Sequence, residues 1–103
     1  MAAELSWLDD ARDDVREILE YIATENPNAA TKYVAELAES CERLADYPLS
    51  GRHYNAEFQT IVFRNHLIFF RFDEQADEVI IVAVLDGRRD IERLIGERDR
   101  TAY

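Results

Sequence analysis

The main change in the spacing of apolar residues along this chain falls at residues 48–51. Before that turn, apolar residues recur every three or four positions, which is the repeat of amphipathic helices. After it, they alternate with polar residues or run continuously, as they do in strands. At 103 residues, the chain is long enough for one modest core. The pattern therefore predicts a single α+β domain over residues 1–103, with helices packed on one face of a sheet.

The first half of the chain predicts a strand followed by an antiparallel pair of helices. Residues 4–8 form a short extended stretch that leads into the first helix. Asn26 and Pro27 separate the two helices, because Asn is a good helix cap and Pro fits the first helical position. Pro48 ends the second helix, since the residue before a proline avoids helical geometry.

The second half predicts three strands and a short C-terminal helix. Residues 58–64 and 67–73 alternate in hydropathy and are joined by Asn65-His66, which is interpreted as a hairpin turn. Residues 79–85 are uniformly apolar, which indicates a central strand covered on both faces. Together with the N-terminal strand, these elements predict a three- to four-stranded, mainly antiparallel sheet beneath the helical hairpin.

Charge and cysteine content limit the partners and the location. The net charge of −10 argues against broad binding to nucleic acid, because phosphates would be repelled overall. The acids between Asp9 and Glu20 are interpreted as a solvated helix face. A lone Cys41 permits no intrachain disulfide, so a cytoplasmic location is expected, without a membrane span or secretory signal. No metal site or cofactor is expected, because His53 and His66 lack metal-ligand spacing.

Five motifs extend in order over almost the whole chain. They are Ala11-x-x-Asp14-Val15-x-x-Ile18-x-x-Tyr21-Ile22, Asn26-Pro27-x-Ala29-Ala30, Leu44-Ala45-x-Tyr47-Pro48-x-x-Gly51-Arg52, Asn65-His66-Leu67-Ile68-Phe69-Phe70-Arg71 and Val84-Leu85-Asp86-Gly87-Arg88-Arg89-Asp90. Their order and spacing resemble the ParE/RelE family of toxins from bacterial type II toxin–antitoxin modules, and most closely its ParE branch. The chain departs from the family at Asp86, where the family often has His.

The resemblance implies a plasmid-stabilisation type of toxin that a co-expressed, ParD-like antitoxin neutralises in a hetero-oligomeric complex. ParE-like members inhibit DNA gyrase, whereas RelE-like members cleave messenger RNA on the ribosome. We expect a gyrase inhibitor with no catalytic residue of its own and no sequence-specific binding to nucleic acid. A ribosome-dependent RNase and an inactive, antitoxin-binding relic remain the alternatives.

An RNA-cleaving site would need cations for the phosphate and a group that transfers a proton. If the chain is an RNase, the candidate residues are Arg64, Arg71, Arg88 and Tyr103. The absence of lysine from residues 51–103 argues against this function. Arg64 and Arg71 are expected on adjacent strands, facing the same side.

The antitoxin is expected to lie across the groove between the helical hairpin and the sheet. The predicted lining comprises Tyr33, Leu37, Phe69, Arg71, Arg88 and Arg89. For the last two, ion pairs with the adjacent Asp86 and Asp90 are the structural alternative. His66 is interpreted as a turn residue, and Cys41 as part of the core.

Overall fold

The change in apolar spacing at residues 48–51 separates the helices from most of the sheet. A computed structural model describes the backbone of residues 2–101 and the side chains of residues 2–98. Its elements are β1 (Glu4–Trp7), α1 (Asp9–Ala23), α2 (Pro27–Asp46), β2 (Arg52–His53), β3 (Gln59–Phe63), β4 (His66–Asp73), β5 (Glu78–Asp86) and α3 (Ile91–Thr101). The predicted α+β fold is confirmed, including the N-terminal strand, the helical hairpin and the short C-terminal helix.

The sheet has five strands in the order β1-β5-β4-β3-β2. β1 runs parallel to β5, and the other neighbouring strands are antiparallel. The strand beyond the expected three to four is β2, in which Arg52 pairs with Thr60 and His53 with Gln59. A strand of two residues is too short to show an alternation of apolar and polar positions.

β5 is the central strand that the apolar run at residues 79–85 predicts. Its Val79, Ile81 and Val84 belong to the core cluster beneath α1 and α2. Val82, Ala83 and Leu85 belong to a second cluster on the opposite face, which includes Ile95 of α3. A register shift opposite Phe69 and Phe70 of β4 places Val82 and Ala83 on the same face.

The hairpin between β3 and β4 turns one residue earlier than predicted. Its turn residues are Arg64 and Asn65, while His66 is the first residue of β4 and pairs with Phe63. The interpretation of His66 as a turn residue is therefore wrong. Arg64 adopts a positive φ of 54°, which two-residue hairpin turns require but which side chains other than glycine rarely adopt.

The helical hairpin begins and ends as its sequence predicts. Asn26 caps α2 by accepting a hydrogen bond from the backbone N–H of Ala29 at 3.1 Å, and Pro27 occupies the first helical position.

Cys41 is fully buried, and burial raises the pKa of its thiol to about 12, as expected of a core residue. Among the residues that the structure describes, no helix is both long and apolar enough to span a membrane.

Candidate functional site

A cleft of about 420 Å³ opens between the helical hairpin and the ends of β4 and β5. We call it the hairpin cleft. Its lining comprises Asp14, Glu17, Ile18, Tyr21, Ile22, Tyr33, Asn65, His66, Val84, Asp86, Arg88 and Arg89. Helical residues supply an apolar wall, and the exits of the strands supply polar side chains. A concave surface with these two kinds of lining is typical of a binding site.

Tyr33 and His66 form the polar centre of the cleft. The Tyr33 hydroxyl lies 2.8 Å from Nδ1 of His66, and their rings meet nearly edge to face at 5.8 Å. The pKa of His66 is lowered, chiefly because the imidazole is partly buried. The nearby Asp86 opposes this shift and the nearby Arg88 adds to it, both to a smaller extent. Burial also raises the pKa of Tyr33. At neutral pH the pair is therefore a protonated hydroxyl beside an uncharged imidazole, without a net charge to attract a phosphate.

Asp86 and Arg88 form the ion pair that their positions in the sequence predict. Oδ1 of Asp86 accepts hydrogen bonds from the backbone N–H and Nε of Arg88, at 2.9 and 3.1 Å, and Oδ2 accepts one from Nη2 at 2.9 Å. These hydrogen bonds hold the pKa of Asp86 well below its usual range and raise the pKa of Arg88. The Arg88 cation is thus largely neutralised within its own loop.

Arg64 leaves the β3–β4 turn towards α2. Its Nη2 donates to Oε2 of Glu36 at 2.5 Å. The guanidinium also lies over the rings of Tyr33 and Phe63, at 5.3 and 5.2 Å from their centroids. Arg64 therefore fixes the rim of the hairpin cleft and has a carboxylate partner of its own.

Arg71 lies on the opposite face of the sheet, so the expectation that it faces the same side as Arg64 is wrong. Side chains alternate along β4, and Phe70 and Phe72 pack on the helical side. Arg71 consequently lines a separate depression of about 350 Å³ on the other face, together with His53, Glu57 and Asp73.

The structure brings together only some of the predicted antitoxin-binding residues. Tyr33, Arg88 and Arg89 line the hairpin cleft. Leu37 and Phe69 are fully buried in different core clusters, and neither lines the hairpin cleft. The prediction of one continuous groove is wrong because the apolar positions it used are the ones that form the core. Of the RNase candidates, Tyr103 lies outside the described residues.

Sequence reasoning missed a buried carboxylate at the base of the cleft. Asp14 belongs to the acidic run of α1, but it accepts hydrogen bonds from Val84 N–H at 2.9 Å and from both terminal nitrogens of Arg98 at 2.8 and 2.9 Å. β1 ends opposite Ile81, so no described strand pairs with Val84 on the β1 side of β5. The carboxylate of Asp14 accepts the backbone N–H of Val84 there instead. The interpretation of the run as a solvated face is wrong at this position. A possible signal was the placement of Asp14 between Ala11 and Ile18, at helical spacing.

Within residues 2–98, no group of three or more His, Cys, Asp or Glu side chains is arranged to hold a metal ion.

The family model described as ParE toxin of type II toxin-antitoxin system, parDE, matches residues 5–91. The chain belongs to the ParE toxin family. The match covers β1 to the start of α3, and so includes every residue that lines the hairpin cleft. No curated protein matches the chain at a significant level.

Solved structures of ParE and RelE proteins share this fold. A chain of the chromosomal ParDE system from P. aeruginosa has a TM-score of 0.71 at 21% identity, covering 82% of this chain and 96% of that one. A chain of the M. tuberculosis RelBE2 toxin–antitoxin complex has a TM-score of 0.64 at 18% identity, covering 84% and 99%. An E. coli RelE mutant in the free state has a TM-score of 0.71 at 11% identity and covers all of both chains. The TM-scores show that these proteins share a fold with this chain.

The hairpin cleft brings an imidazole and a carboxylate together across two strands. Asp86 lies on β5, and His66 is its direct partner on β4. Both residues line the hairpin cleft.

Proposed function

We propose that this ParE-family toxin inhibits DNA gyrase and that a cognate, ParD-like antitoxin neutralises it. The observation that carries the proposal is the dispersal of the cations an RNA-cleaving site would need. Arg64 pairs with Glu36 and Arg88 with Asp86, whereas Arg71 lies on the opposite face of the sheet. These three guanidinium groups have no common point at which they could hold one phosphate.

The charge of the hairpin cleft supports the same conclusion. Asp14, Glu17 and Asp86 line it together with Arg88 and Arg89. Asp14 is paired with Arg98 and Asp86 with Arg88, so the lining is close to neutral and does not form the positive surface that favours RNA phosphates. Tyr33 and His66 could transfer a proton, but the two cations nearest to them, Arg64 and Arg88, are each paired with a carboxylate. A protein target with both apolar and charged groups fits this lining better.

The antitoxin is the second part of the proposal. Two of the related structures are described as a ParDE toxin–antitoxin system and a RelBE2 toxin–antitoxin complex. In this chain the hairpin cleft offers apolar contacts from Ile18 and Ile22, beside Arg88 and Arg89. A helical antitoxin segment with an apolar stripe and an acidic residue would match both features. We expect such a segment to contact Tyr33 and Arg89.

A gyrase supercoiling assay with the purified toxin tests the proposal directly. We expect loss of supercoiling and accumulation of cleaved DNA, both reversed by the antitoxin. A parallel translation reaction should leave messenger RNA intact. Cleavage of messenger RNA, lost in Arg64→Ala, would instead identify an RNase. Activity in neither assay, with the antitoxin still bound, would identify an antitoxin-binding relic.

A further inference from the structure

The hydrogen bond between Tyr33 and His66 can be made in two directions. The Tyr33 hydroxyl lies 2.8 Å from Nδ1 of His66. When the imidazole is uncharged, Nδ1 can accept the hydroxyl hydrogen. When the imidazole is protonated, both ring nitrogens carry hydrogen, so Nδ1 must donate to the Tyr33 oxygen instead. The hydroxyl hydrogen is then released to bind another acceptor in the hairpin cleft.

Charged and titratable groups from every element around the cleft face this pair. They are Asp14, Glu17 and Tyr21 of α1, Glu36 of α2, Arg64 of the β3–β4 turn, Asp86 of β5, and Arg88 and Arg89 of the loop that follows β5. Three ion pairs neutralise most of these charges. They are Asp14–Arg98, Glu36–Arg64 and Asp86–Arg88. The cleft is therefore left with few charges that an occupant could use.

The remaining charges of the lining lie on different sides of the cleft. Glu17 and Arg89 line it and form no ion pair with a described residue. Glu17 belongs to α1, whereas Arg89 follows β5 on the side of the strand exits, where His66 begins β4. A carboxylate that enters the cleft is thus repelled from the α1 side and attracted to the strand side.

Asp86 is already a carboxylate near His66, but it is held by Arg88. It is the direct partner of His66 on β5, and it accepts three hydrogen bonds from Arg88. Because its charge is shared with that guanidinium, partial burial of the imidazole still keeps His66 uncharged at neutral pH. A second carboxylate, brought by an occupant, would favour the charged imidazole, since an opposite charge nearby stabilises it.

We propose that the hairpin cleft binds a carboxylate side chain of the antitoxin between Arg89 and Tyr33, and that His66 takes up a proton from solvent in that complex. The imidazolium donates to the Tyr33 oxygen, and the Tyr33 hydroxyl donates to the bound carboxylate. This inference rests on the proposed antitoxin partner and names the chemical group that the cleft recognises. Because the complex holds more protons than its separate components do, binding tightens as the pH falls through the range in which His66 titrates.

An NMR titration of isotope-labelled, full-length wild-type toxin measures the proton uptake directly. The toxin is followed free and in complex with the antitoxin encoded beside it. The chain has two histidines, and His53→Gln assigns their signals, because His53 is exposed on β2 and outside the cleft. We expect the pKa of His66 to be at least about one pH unit higher in the complex, and that of His53 to be unchanged. An unchanged or lower pKa of His66 would overturn the inference.

Calorimetric titration at pH 7.5 and pH 5.5 measures the effect on affinity. The Kd of the wild-type toxin for the antitoxin should fall about three- to tenfold at the lower pH. His66→Gln cannot take up the proton and Tyr33→Phe lacks the hydroxyl, so each should lose most of this dependence. His53→Gln is the matched control and should keep it. The antitoxin is the same in all four titrations, so a difference between them belongs to the toxin.

The outcomes separate this inference from the proposed function. An equal pH dependence of the wild type and folded His66→Gln, with the antitoxin still bound, would overturn the inference and leave the antitoxin partner intact. If either variant does not fold, the NMR titration of the wild-type toxin decides. If the antitoxin does not bind the wild-type toxin at either pH, the proposed partner and this inference both fail.

Discussion

Asp14 and Arg98 lie 84 residues apart in the chain and form a bidentate ion pair across the fold. Asp14 belongs to α1 and Arg98 to α3, and the carboxylate also accepts the backbone N–H of Val84 in β5. One side chain thus connects the first helix, the central strand and the last helix. The hydrogen bond to Asp14 raises the pKa of Arg98, so the cation persists at any physiological pH.

Asp14→Asn should destabilise the protein. The amide cannot accept three hydrogen bonds and leaves Arg98 without its anion, so we expect a loss of about 2–4 kcal/mol in the free energy of unfolding. Urea denaturation monitored by circular dichroism measures this change. Asp13→Asn is the matched control, because Asp13 is exposed and pairs with Arg16 on its own helix. Equal unfolding midpoints for the two variants would contradict a structural role for the Asp14 pair.

The helical hairpin could be predicted because its signals are local. The cap at Asn26, the proline at position 27 and the helical spacing of apolar residues act over a few neighbouring positions. The interior strand β5 could also be predicted, because its seven consecutive apolar residues are rich in β-branched side chains and suit a strand covered on both faces. Such features do not depend on contacts between residues that are far apart in the sequence.

The hairpin cleft was harder to predict because its contacts are long-range. Asp14 shares helical spacing with Ala11 and Ile18, but an acidic residue at such a position gives no sign of its partner, and its burial depends on where β1 ends relative to Val84. The side that Arg71 faces depends on the register of β4, and a shift by one residue reverses it. Phe69 looked like a groove residue because apolar residues in cores and in binding sites share the same pattern.

His66 should make the folded state sensitive to mild acid. Burial lowers its pKa in the folded protein below the ordinary value of about 6.5, so the unfolded chain binds the proton more readily. Stability is therefore complete above pH 6.5 and decreases as the pH falls through the folded pKa. Urea midpoints between pH 7.5 and 5 measure this dependence. His66→Gln should reduce the slope, whereas His53→Gln, at an exposed position of β2, should not.

Gly51 and Gly96 should respond in opposite directions to alanine. A Cβ at Gly51 would lie 2.6 Å from Cε1 of Phe70, a fully buried ring, so Gly51→Ala should cost about 1–3 kcal/mol of stability. A Cβ at Gly96 meets no atom within 4 Å, and Gly96 is inside α3. Gly96→Ala should therefore stabilise by about 0.5–1 kcal/mol. Thermal unfolding of both variants measures whether each substitution raises or lowers stability. Destabilisation by Gly96→Ala would contradict the finding that a Cβ at Gly96 meets no other atom.

Cys41 should not react in the folded protein. Its side chain is fully buried in the core beneath the helices, and its pKa of about 12 leaves almost no thiolate at pH 8. A disulfide reagent that releases a coloured thiolate should label the native protein only at the rate of unfolding and label it at once in denaturant. Fast labelling of the native protein would show that α2 does not pack on the sheet as described.

Arg89→Glu should weaken antitoxin binding through the hairpin cleft. Arg89 is exposed on the lining of that cleft, whereas the guanidinium of Arg88 is already held by Asp86. Reversing the charge at Arg89 places an anion where an acidic antitoxin residue is expected, so the Kd should rise at least about tenfold. Arg12→Glu makes the same charge change at an exposed position of α1 outside the cleft and is the matched control. Arg71→Glu tests the opposite face of the sheet. A larger effect of Arg71→Glu than of Arg89→Glu would move the principal antitoxin contact to that opposite face.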